Sequence, residues 1–177
     1  GLTNAEPFDL VVNSTPVTIS NRNNVLGDDF ATVKFTPATE TTSAKLALNG
    51  ASVSKITSGL EALTIEINGE SSVGYIDTNT ATGEDKTLSI SKGSDNSSLS
   101  FTAAQDHSVI EGFKSVSVGD GIYVKSNNPC VYSTSNKQYE TTDAAVLGAL
   151  TFTTTPYYSL WVTRMQGTNT NTYQVSD

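Results

Sequence analysis

One cysteine, one histidine, one methionine and one tryptophan in 177 residues leave this chain short of the side chains that carry covalent and metal chemistry. Cys130 has no second cysteine to pair with, which excludes an intrachain disulfide and the cystine-stapled class of small domain. Following Pro129 at the start of a predicted strand, its thiol reads as a small buried hydrophobe rather than a nucleophile. His107 and Cys130, with Asp106 nearby, fall short of the four ligands of a structural zinc site or the three of a catalytic one. Asp106-His107 has the composition of part of a catalytic dyad, but no nucleophile accompanies it. A surface or loop-anchoring role is expected for His107.

Basic residues are also scarce. Ten of them against eighteen acidic ones give a formal charge of -8, and they are scattered along the chain. Phosphate-driven nucleic-acid binding needs clustered cations, so a nucleic-acid partner is not expected, and anionic membrane surfaces are disfavoured for the same reason. No run of eighteen apolar residues is present, so membrane insertion is not expected. The sequence has no Gly-x-Ser-x-Gly elbow, phosphate loop or dinucleotide glycine pattern, and no cofactor is expected. Glu61, Glu66, Glu70, Glu84, Glu111 and Glu140 offer carboxylates for glycoside hydrolysis only in the general sense that all carboxylates do, because separation across a cleft decides that chemistry.

What the chain does have is small neutral polar residues: 26 Thr, 22 Ser and 14 Asn. They are interleaved with Val, Ile, Leu, Phe and Tyr, which favours a folded sheet protein over a disordered stalk. Threonine suits the solvent face of a strand, where its branched Cβ packs against neighbours and its hydroxyl meets water.

Period-two alternation recurs throughout. Phe8 to Val12 reads as a short strand that resumes at Val17 after Pro16, a proline that implies an edge, a kink or a bend. Phe30 to Phe35 alternates as a half-buried strand. Ala44 to Leu48, Asn49-Gly50 and Ala51 to Ile56 read as a β-hairpin, and Leu63 to Ile67, Asn68-Gly69 and Ser72 to Ile76 repeat the device. The two copies begin nineteen residues apart. Convergence on favoured turn chemistry is the simpler account, and a solenoid is not expected because nothing later repeats at that period.

Lys86 to Ser91 with Leu99 to Phe101 reads as another hairpin, and Phe113 to Val118 with Ile122 to Lys125 as strand, turn and strand. Ala103 to Ile110 is ambiguous. Thr142 to Leu147 is the best place for one short helix, capped by Thr142 or Asp143. Ala149 to Thr153 and Tyr157 to Met165 read as two aromatic-rich strands separated by Pro156, and Tyr173 to Val175 as a candidate terminal strand.

Ten to thirteen short strands without a long amphipathic helix predict a single all-β domain over residues 1–177. The expected architecture is a two-layer antiparallel β-sandwich, jelly-roll-like or immunoglobulin-like, with a small closed β-barrel as the rival. Residues 1–16 are a candidate edge or exchanged strand in which Phe8, Leu10 and Val12 could pair with a neighbouring copy. Trp161, Tyr157, Tyr158 and Tyr173 are candidates for a ligand-binding platform. Asp77, Asn79, Glu84 and Asp85 offer oxygen ligands for calcium, without the spacing of an EF-hand.

Functionally, numerous strands, few charges and a hydroxyl-rich surface predict a structural or assembly subunit of an extracellular, cell-surface or virion structure: pilus, phage tail or fibre, capsid or spike. Its expected partners are copies of itself or other subunits. The alternative is an adhesin module that binds a glycan or cell-surface receptor through the loops Asn21 to Asp29, Asp77 to Asp85 and Ser126 to Asn136. A carbohydrate-active hydrolase is a third and weaker alternative.

Overall fold

A computed structural model describes residues 6–78 and 85–157, and the backbone alone of 159–166 and 169–176. The chain leaves one strand in one sheet, turns a corner, lays the next strand in a second sheet, and returns. Strands β4 (Ala44–Asn49), β6 (Ala62–Asn68), β8 (Thr87–Lys92) and β10 (Ser115–Val118) lie parallel to one another in a five-stranded sheet. Strands β5 (Ser52–Ser58), β7 (Glu70–Thr78) and β9 (Ser98–Thr102) lie parallel to one another in a seven-stranded sheet. Successive coils therefore stack rather than fold back as hairpins.

Antiparallel strands complete both sheets. Strand β3 (Val33–Thr36) flanks β4 in the smaller sheet. In the larger sheet, β1 (Pro7–Val12) and β2 (Thr15–Thr18) extend the β5 side, while β14 (Ala149–Thr153) and β11 (Tyr123–Lys125) extend the β9 side. Two small two-stranded sheets, β12 (Cys130–Ser133) with β13 (Gln138–Thr141) and β15 (Ser159–Gln166) with β16 (Asn169–Ser176), make up the remainder.

This arrangement corrects the expected antiparallel sandwich and the closed barrel alike, since both large sheets are mixed and they remain two sheets. The all-β character stands. The predicted hairpins fail for a reason visible in the backbone. A two-residue type I′ hairpin needs positive φ at both central residues. Gly50 and Gly69 supply it, at +66° and +61°, but neither Asn49 nor Asn68 does. The Asn-Gly pairs make corners between sheets.

Stacking of those corners is built into the side chains. Asn49 and Asn68 stand in register, the amide of Asn49 occupies the space a Cβ would need at Gly69, and the amide of Asn68 does the same at Gly93. The Ala51 N–H donates to the buried Ser71 hydroxyl (3.0 Å), and one coil further the Gly69 N–H donates to the buried Ser97 hydroxyl (2.9 Å). Each corner thus hands an otherwise orphaned donor to the next coil, which avoids the cost of a buried unpaired N–H.

Inward side chains form ladders across the coils. Leu46, Ile65, Ile90 and Val118 align in one sheet, and Val53, Val73, Phe101 and Leu150 in the other. Both ladders belong to a single hydrophobic cluster. Full burial of each aliphatic side chain contributes about 1.5–3 kcal/mol against the conformational entropy of ordering it.

Caps close the two ends of this core. At the β2–β3 end, Phe8 packs on Phe35 with ring centroids 5.1 Å apart, and residues 22–25 bond along β3 through Phe35 N–H to Arg22 O and Val25 N–H to Val33 O. At the β10–β11 end, the Tyr132 hydroxyl donates to the Phe113 carbonyl (2.6 Å) and Tyr139 meets Phe152 edge-on. No helix forms at Thr142 to Leu147. Thr141 instead closes a turn, accepting from the N–H of Ala144 at its carbonyl and of Ala145 at its hydroxyl, with Ala144 at φ +60°. Among the described residues no helix is long and apolar enough to cross a membrane.

Candidate functional site

The outer face of the larger sheet carries the densest cluster of chemically capable side chains. In β5, Ser54 and Lys55 both face outward between the buried Val53 and Ile56, and in β7 Gly74 and Tyr75 do the same between Val73 and Ile76. These are stacked bulges, one residue in excess of strict alternation. A Cβ at Gly74 would overlap the Ser54 carbonyl oxygen, so glycine is required for this close approach. Asn13, in the β1–β2 turn, accepts from both the N–H and the hydroxyl of Ser54 (2.7 and 2.8 Å) and holds the bulge from its other side.

The bulge aims Lys55 and Tyr75 into one column with His107. Lys55 Nζ lies 5.2 Å from the Tyr75 ring centroid and 3.4 Å from the Asp77 carboxylate, and Asp77 also accepts from the Thr57 hydroxyl (2.7 Å). The imidazole of His107 stacks on the Tyr75 ring at 4.3 Å and 10°, and its Nδ1 is 3.0 Å from a Glu111 carboxylate oxygen. The interaction of Lys55 with the Tyr75 side chain, aided by Asp77, holds the Lys55 ammonium above its ordinary pKa against the opposing effect of burial. Asp77 and Glu111 line one shallow depression of about 310 Å³, yet each carboxylate is already engaged, by Lys55 and Thr57 or by His107. Among the described residues no hydroxyl or thiol is hydrogen-bonded to the imidazole; its stacking on Tyr75 joins the loop after β9 to the sheet.

A second concavity, about 610 Å³, opens where β11 and β14 meet the corner after β8. Tyr157, Lys125 and Glu70 line it with the hydroxyls of Ser98, Thr151 and Thr153. Lys125 Nζ stands 5.5 Å from the Tyr157 centroid. Of the four aromatic candidates this cleft takes Tyr157. Tyr158 lies outside the described residues. Trp161 and Tyr173 are placed by backbone only, opposite Gln174 and Val162 in the β15–β16 hairpin, and their side chains lie outside the description.

The remaining sequence candidates are dispersed. Leu10 and Val12 are buried in the shared core and Phe8 packs on Phe35, because β1 sits between β5 and β2; the edge position falls to β2, with Pro16 where an edge tolerates it. Asp77 is tied to Lys55, Asp85 is exposed, and Asn79 and Glu84 lie outside the described residues. Among the described residues no three His, Cys, Asp or Glu side chains gather as metal ligands. Cys130 packs half-buried against the core, and burial pushes its thiol pKa up, against the sense needed for a nucleophile.

Compared with known protein families, curated proteins and solved structures, the chain matches none of them. Sequence reasoning missed the Lys55–Tyr75–His107 column. The signal for its first two members was the repeat itself: Lys55 and Tyr75 stand in register across β5 and β7.

Proposed function

We propose that this chain is a structural subunit of an extracellular, cell-surface or virion assembly, of the kind that builds a pilus, a tail or fibre, or a capsid or spike. The observation that supports this reading is the clothing of both outer faces. Thr36, Lys45, Thr64, Ser89 and Ser117 form one transverse rank on the smaller sheet, and Ser52, Ser72, Ser100, Thr151 and Lys125 form another on the larger. Eight of these ten side chains are neutral hydroxyls held at the regular spacing of sheet strands. Such faces can lie against a neighbour with little charge to desolvate, the largest cost of burying a polar surface.

Light scattering behind a sizing column, over about a hundredfold range of concentration, tests this reading. Mass that grows with concentration is the expected result; a monomer throughout overturns it.

A second reading, a glycan- or receptor-binding module, is favoured by the cleft around Tyr157, which offers a ring, a cation, a carboxylate and hydroxyls to one ligand. A glycan screen with Tyr157→Ala as its control tests it: binding lost in the variant supports it, and no binding by the parent chain refutes it.

A further inference from the structure

The two Asn-Gly corners are alike in sequence and unlike in the fold. Asparagine followed by glycine is the pair in which the next backbone nitrogen most readily reaches the side-chain amide, because glycine brings no side chain to obstruct the approach. That reaction needs water at the corner, a glycine N–H able to give up its proton, and an asparagine amide able to turn onto the nitrogen.

At Asn68-Gly69 all three are withheld. Both residues are half-buried. The Gly69 N–H donates to the buried Ser97 hydroxyl (2.9 Å), which favours the protonated nitrogen and points it at the next coil. The Asn68 amide donates to the Glu66 carboxylate (3.1 Å), which fixes its rotation. At Asn49-Gly50 both residues are exposed, and among the described residues no side-chain hydrogen bond holds either the Asn49 amide or the Gly50 nitrogen. The register explains the difference. Ala47 stands where the second coil has Glu66, so the first coil has no carboxylate to tether its asparagine. The Ser71 hydroxyl, which belongs to the next coil as Ser97 does for Gly69, accepts from Ala51, one residue past Gly50. Both asparagine amides lie over a glycine of the following coil, so hydrogen bonding and exposure, not packing, separate the two corners.

We propose that Asn49 is a site of spontaneous deamidation, at which the first corner converts to aspartate and isoaspartate while the fold protects Asn68. The Gly50 nitrogen loses its proton to hydroxide and bonds to Asn49 Cγ. The Cγ–Nδ2 bond breaks, and Nδ2 takes a proton from water and leaves as ammonia. The product is a cyclic imide. Water then adds to one of its carbonyl carbons. Opening of the Cγ–N bond gives aspartate, and opening of the bond between the main-chain carbonyl carbon and nitrogen gives isoaspartate. Water is the sole co-reactant and nothing is oxidised or reduced. Either product places a new carboxylate on an exposed corner. Isoaspartate also inserts one more atom into a backbone whose path is set by Asn49 N–H to Thr32 O and Ala51 N–H to Ser71 Oγ, so the first coil is where the folded chain ages.

The test incubates the full chain in warm, mildly alkaline buffer, folded and in urea, and follows both asparagines by mass spectrometry after brief cleavage at lysine in mild acid. The peptide ending at Lys55 carries Asn49 and the peptide ending at Lys86 carries Asn68, with fragmentation assigning the residue. In the folded chain Asn49 is expected to convert about tenfold or more faster than Asn68, because the bonded corner must open before it reacts; in urea the two rates should be comparable. Ser97→Ala, confirmed as folded by circular dichroism, should raise the Asn68 rate several-fold and leave Asn49 unchanged. Equal rates at the two corners of the folded chain, or an Asn49 that stays intact when folded and converts in urea, would overturn the proposal. An Asn68 rate unmoved in folded Ser97→Ala would overturn the protection assigned to Ser97.

Discussion

Gly74→Ala is expected to be among the most damaging single-methyl additions in the protein. The new Cβ would overlap the Ser54 carbonyl oxygen and stand 3.1 Å from its carbonyl carbon. Both are backbone atoms, so no side-chain rotation relieves the clash. Nor can the strands simply part, because the register is pinned on both sides by Val53 opposite Val73 and by Lys55 opposite Tyr75. Relief requires giving up the bulge. Overpacking strain costs about 1–3 kcal/mol, and disturbing the two bonds that Asn13 makes to Ser54 adds about 0.5–1.5 kcal/mol each. The combined loss is on the order of 2–6 kcal/mol, or a fall in Tm of about 4–24 °C for a chain of this size. Urea unfolding followed by circular dichroism measures it, with Gly148→Ala as control. Gly148 has no atom within 4 Å of an added Cβ and no positive φ, so its variant should be neutral or slightly more stable. Equal stability of the two variants would refute the close approach of β5 and β7 at this bulge.

Ser97→Ala should cost about 1–3 kcal/mol, because it leaves the Gly69 N–H without its acceptor at a buried corner; Ser94→Ala, at an exposed position, should stay within about 0.5 kcal/mol in the same assay. Alkaline pH should destabilise the fold. Burial raises the folded-state pKa values of Tyr132, Tyr139 and Cys130 above their ordinary 10.0, 10.0 and 9.0. Below those ordinary values both states are protonated and the contribution is complete. Above them the unfolded chain ionises first, so stability is lost as pH climbs toward the raised folded values, by at most about 1.4 kcal/mol per pH unit per group. Urea midpoints measured from pH 8 to 11 should fall above about pH 9, and a flat profile would show these side chains to be solvated.

The inward and outward faces of the strands were legible in sequence because alternation reports burial directly: Leu46 and Leu48, and Ala51 and Val53, are buried as their spacing implies. Pairing was not legible, since alternation reveals which side faces the core but not which strand lies alongside. Asn49-Gly50 and Asn68-Gly69 carry the composition of hairpin turns, and only the φ of each asparagine separates a hairpin from a corner. The nineteen-residue repeat was a true sign of stacking. It faded because the offset between stacked residues grows, from 19 between Leu46 and Ile65 to 25 between Ile65 and Ile90 and 28 between Ile90 and Val118. Segments inserted between strands lengthen the later coils without disturbing their register. Phe30 shows the opposite failure. It opens the run that reads as a strand through Phe35, yet the bonds of Asp28 to Thr32 end the strand before reaching it and leave the ring outside. The candidate site was legible only in part, because Lys55, Tyr75 and His107 are brought together by stacking and bulging, neither of which single-strand periodicity records.

The placement of the caps at opposite ends depends on parallel stacking of β4 on β6. A double variant, Ala47→Cys with Glu66→Cys in the Cys130→Ala background, tests that stacking directly. The two positions are register partners on neighbouring parallel strands, at a spacing of about 4.8 Å that permits a disulfide. Stacked coils predict rapid oxidation of this pair and none for Ala47→Cys with Ser52→Cys, whose strands lie in different sheets. Oxidation of the second pair and not the first would mean that β4 and β5 form a hairpin, and would contradict the account.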